Sequence, residues 1–63
     1  MNKSELVGIS FLLAQAIVDN NRERITELTE IIINDVPAKH INLIHNLSKE
    51  FETAIKKLYD CIS

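Results

Sequence analysis

The chain has one cysteine, one proline, one glycine and no tryptophan in 63 residues. Cys61 therefore has no intramolecular partner, and a disulfide framework is excluded. Two histidines, His40 and His45, with no Cys-x-x-Cys or His-x-x-x-His spacing, give no pattern for a structural metal. No stretch rich in serine, glycine and proline can serve as a linker, so residues 1–63 read as a single domain. A domain this small has a marginal core and usually gains stability from a disulfide, a metal or a partner. With the first two excluded, oligomerisation or docking onto another protein is expected.

A large excess of charge of one sign is missing too. The formal net charge is −2, and the clustered Lys49, Lys56 and Lys57 are interleaved with Glu50, Glu52 and Asp60. That is a solvated helix face, not the basic stripe that nucleic acid requires, so no nucleic-acid partner is expected. A long hydrophobic run is also absent. Leu6 to Val18 is strongly apolar, but 13 residues fall short of the roughly 20 needed to cross a bilayer. Ala14-Gln15-Ala16 mimics a signal-peptidase site, yet Glu5 stands where a basic region belongs. The run reads as a core helix, with no membrane partner and a cytoplasmic location expected.

What is present is helical periodicity, with 46% apolar and 25% charged residues. Ile44, Leu47, Phe51, Ala54, Leu58 and Cys61 follow a three-four spacing, widened by Ile41, Ile55 and Ile62. This predicts a long amphipathic helix over about 36–62, with Pro37 in its first turn and Asp35 as its cap. Asn42, His45, Asn46, Lys49, Glu52, Thr53, Lys56, Tyr59 and Asp60 fall on its far side. Ile25, Leu28, Ile32 and Val36 predict a second helix over about 21–34, ending before the proline.

The first helix, about 4–19, is the unusual one. Leu6, Ile9, Leu13, Ala16 and Ile17 make one stripe, and Val7, Phe11, Ala14 and Val18 make another beside it. Only Ser4, Gly8, Gln15 and Asp19 form a polar wedge. Such a helix needs cover on two sides, which the other two helices could provide only by closing around it. A homodimer centred on the first helices is the simpler expectation. Asp19-Asn20-Asn21 is the place for a phase break, with Asn20 capping the second helix and Glu23 reaching back. A hairpin with one long kinked first arm is the alternative. Both are all-α and both suit a helical-bundle dimer.

Chemistry is sparse. His40 and His45 point about 140° apart on a helix and cannot share a metal. His45 is expected in solvent and His40 at the edge of the core. Cys61 completes an apolar seam, where a thiol behaves as a small hydrophobe. Glu50 and Glu52 lie on different faces, a poor arrangement for hydrolysis. No catalytic residue, metal site or cofactor is assigned, and the chain is not expected to be an enzyme. Residues assigned to partner binding are Val7, Phe11 and Val18 on the first helix, and Lys49, Glu52 and Tyr59 on the last.

The stretch Leu47-Ser48-Lys49-Glu50-Phe51-Glu52-Thr53-Ala54-Ile55 resembles the Ser-Gln-Glu-Leu-Asp-x-Leu-Ile signature of the small sporulation aspartyl-phosphate phosphatases. Ser48, Glu50 and Ile55 match, Phe51 and Glu52 are conservative departures, and Lys49 replaces the glutamine. The resemblance covers residues 22–59 and implies a helical hairpin docking on a phosphorylated response regulator, with Glu50 and Glu52 at the working surface. Two readings from the residues themselves stand beside it. One is a small regulatory or inhibitory protein that binds an unidentified protein target, as a homodimer. The other is a structural subunit whose first helix inserts into a larger assembly.

Overall fold

A computed structural model describes residues 2–62 and places three helices in them: α1 (Lys3–Val18), α2 (Arg22–Asp35) and α3 (Ala38–Ile62). Each begins or ends on a sequence device. The Asn2 side chain accepts a hydrogen bond from the Glu5 amide at 2.8 Å, and Glu5 sits in the positively polarised first turn of α1. At the other end Asn20 takes a left-handed conformation, φ 56°. The Asn20 amide then donates to Ile17 O and the Asn21 amide to Ala16 O, at 3.1 and 2.9 Å. These two bonds satisfy the last carbonyls of α1 in a Schellman motif, and asparagine tolerates the conformation better than most residues.

This turn corrects the expected cap. Asn20 is used up in closing α1, so Asn21 caps α2, its side chain accepting from the Arg24 amide at 3.2 Å. The third position therefore falls on Arg24, and the expected box with Glu23 is displaced by one residue. At the α2–α3 corner Val36 is extended (φ −99°, ψ 126°), as a residue before proline must be. Asp35 ends α2 instead of capping α3, and Pro37 stands just before α3, its carbonyl accepting from the His40 amide at 2.9 Å.

α1 lies in the middle, packed against both other helices, while α2 and α3 scarcely touch each other. Leu6 and Ile44 share the core at one end, Phe11 meets Phe51 midway, and Asp19 meets Tyr59 at the other end. α1 and α3 are therefore parallel, with α2 antiparallel to both. The core joins Leu6, Ile9 and Ala16 of α1, Leu28 and Ile32 of α2, Val36 at the corner, and Ile44 of α3; Leu13 and Ile25 pack against it partly buried. Two helices of one chain thus cover much of α1 without closing round it, contrary to the expectation. They leave Val7, Phe11 and Leu12 exposed.

Beyond that cluster the α1–α3 contact is lined by small residues. Ser10 and Ala14 are both 0% exposed, and Ser48 and Ile55 are buried on α3. Ser10 and Ser48 each donate their hydroxyl to the carbonyl four residues back, Leu6 O and Ile44 O, at 2.7 Å. With the hydroxyl satisfied inside its own helix, serine acts as a short side chain and can be buried without an unpaired donor.

The rotation of α3 departs from the expected seam. Ile44 is buried as expected, and Leu47 and Phe51 are half-buried. Ala54, Leu58 and Cys61 are exposed, whereas Ser48 and Ile55 point inward. The contact line runs through 44, 48, 51 and 55, about 40° round the helix from the line expected. No helix among the described residues is long and apolar enough to cross a membrane.

Candidate functional site

The rotation of α3 creates the most distinctive surface of the molecule. Leu47, Ala54 and Leu58 lie within about 60° of Phe51 around the helix axis, and Leu58 is 61% exposed. On α1 the stripe of Val7, Phe11 and Val18 stands beside them: Val7 and Phe11 are 45% and 43% exposed, and Val18 is half-covered. The two stripes meet where the Phe11 and Phe51 rings pack edge to face, centroids 5.5 Å apart and planes 77° apart. That geometry is a favourable aromatic contact. It joins the two helices into one continuous apolar face.

Of the six residues assigned to partner binding, the structure brings Val7, Phe11 and Val18 onto this face and sets the other three apart. Lys49, Glu52 and Tyr59 lie on the opposite edge of α3. Lys49 is exposed, and Glu52 pairs with Lys56 at 3.1 Å. The Tyr59 hydroxyl donates to Asp19 Oδ1 at 3.3 Å, tying the ends of α3 and α1 together. The Asp19 charge, then desolvation, then the hydrogen bond itself raise the Tyr59 pKa above its ordinary value.

Leu47, Ala54, Leu58 and Cys61 belong to the face although the sequence assigns them to the core. The signal was masked. Ser10 and Ala14, four apart on α1, and Ser48 on α3 are the small residues of the contact, but a serine reads as polar, so Ser48 was not placed inward.

Other sites offer less. His40 is half-buried with its Nδ1 unpartnered among the described residues, and His45 is exposed. No group of three His, Cys, Asp or Glu side chains that could hold a metal occurs among the described residues. A depression of about 170 Å³ lies by the α1–α2 turn, lined by Leu12, Gln15, Ala16, Asp19, Asn21 and Arg24. That is below the roughly 300 Å³ at which ligand pockets begin.

The stretch from Leu47 to Ile55 takes a definite place in the fold. Ser48 and Ile55 are buried against α1, Glu50 is exposed on the outer edge of α3, and Glu52 lies on the other edge. α2 and α3 are held by α1 and not by each other. Comparison with known proteins finds no matching family model, no similar curated protein and no similar solved structure.

Proposed function

We propose that this is a small regulatory or inhibitory protein that acts by helix-mediated binding to another protein, and that it works as a homodimer. The observation that carries the reading is the apolar face of α1 and α3. Val7, Phe11, Ala54 and Leu58 are exposed side by side, with Leu47 partly exposed among them, and contiguous apolar faces mark protein interfaces. Total exposure supports it. The accessible surface is 4653 Å², roughly an eighth more than the ~4,100 Å² of a compact monomer of this mass.

In this reading the chain is not an enzyme. The apolar face is the self-association surface, and the polar edge with Lys49, Glu52 and Tyr59 stays open for the target. Light scattering at micromolar concentration tests it. The expected mass is twice the 7.2 kDa of one chain. A stable monomer across that range overturns the homodimer.

A further inference from the structure

The outer edge of α3 carries a charge pattern that specifies how two copies meet. Glu50 and Lys57 are seven residues apart, both exposed, and both lie on the side of the apolar face away from α1. Neither makes an ion pair or hydrogen bond among the described residues. Two copies with parallel α3 helices, related by a two-fold along the helices, would carry their Glu50–Lys57 rows on opposite rims of the seam, where neither charge meets its opposite. Opposed helices reverse that outcome.

Resting on the homodimer reading, we propose that the face is occupied by a second copy with its α3 antiparallel, the two-fold axis passing between Phe51 and Ala54. This register places Leu47 opposite Leu58 of the second copy, and Phe51 opposite its Ala54, a large residue against a small one. Leu43 and Ile62, both exposed in the single chain, fall at the same level at the ends of the seam. Glu50 then lies within about 3 Å, along the helix axis, of Lys57 of the second copy. The two-fold repeats the pair, so two ion pairs flank the seam on one rim, as rim charges do when they set helix orientation. Phe11 and Val7 extend the contact on the other rim, so four helices enclose the buried surface. A standard interface takes about 800 Å² from each partner, roughly a sixth of the 4653 Å² available. The 25-residue α3 is long enough to supply it with α1 alongside.

Sedimentation equilibrium of the full chain at low salt tests the proposal with Glu50→Lys, Lys57→Glu and the double exchange. Each single reversal turns two attractions into two repulsions and is expected to raise the dimer dissociation constant roughly tenfold. The double exchange restores it to near the native value, and the differences shrink as salt rises. Both residues are exposed, so circular dichroism should show native helix content throughout. A dimer indifferent to the reversals, or not restored by the exchange, overturns the antiparallel register and leaves the homodimer standing. A native chain that stays monomeric overturns both.

Discussion

The two edges of α3 differ in a way that composition alone does not suggest. The edge turned to α1 carries Ile44, Ser48 and Ile55, all buried, and one of these is a serine. The outer edge carries Leu47, Ala54, Leu58 and Cys61 and is more continuously apolar, yet from Ala54 onward it faces solvent. The inner edge is shaped for close approach, with Ser48 and the fully buried Ser10 and Ala14 keeping the helices near each other. The outer edge has the bulk and spacing of a helix–helix seam with no helix of the same chain on it. Hydrophobic periodicity identifies an apolar arc, but the neighbour that takes each part of the arc is decided by side-chain size.

The strongest way to break this comparison is to attack the inner edge. Ile44 is 2% exposed and is the α3 member of the core that includes residues of α1 and α2. Ile44→Ala leaves a cavity and is expected to cost about 2–5 kcal/mol, most of the roughly 5 kcal/mol available to a small domain. A thermal melt by circular dichroism should show loss of the cooperative transition. A native-like melt would mean that the inner edge is not the folding core.

A smaller effect is expected where the polar edge meets α1. The Tyr59 pKa is raised by Asp19, so the folded state holds the phenolic proton more firmly than the unfolded state does. The associated stability is fully present below about pH 10, the ordinary tyrosine value. It is lost as pH rises through the higher folded-state value. Tyr59→Phe should flatten the alkaline decline in melting temperature and change little at pH 7. An unchanged alkaline slope in the variant would remove the Tyr59–Asp19 tie from the account.

Much of the fold was legible in the sequence. All three helices follow from the three-four spacing of apolar residues, and their bounds differ from the reading by one or two residues. Pro37 fixes the second corner through its effect on Val36, and the asparagine pair marks the first. The exact duty of each asparagine was not legible, because either can cap a helix and only the closed turn shows which one adopts positive φ. The rotation of α3 was not legible for a different reason. Its apolar arc is wider than one neighbour needs, and Ser10 and Ser48 read as polar although each hydroxyl is satisfied within its own helix. The candidate face divides in the same way: Val7, Phe11 and Val18 read as a second apolar stripe on the first helix, while Leu47, Ala54 and Leu58 on α3 read as core.

The most direct measurement of the central claim is the melting temperature of the native chain and of Leu58→Asn over a hundredfold range of protein concentration. Leu58 is exposed in the single chain, so the substitution should alter intrinsic stability by no more than about 0.5 kcal/mol. If the outer edge of α3 holds a second copy, the native melting temperature rises with concentration, and that of Leu58→Asn stays nearly flat and meets it at the dilute end. Two curves that are both independent of concentration, or a variant that is equally unstable at every dilution, would contradict the account.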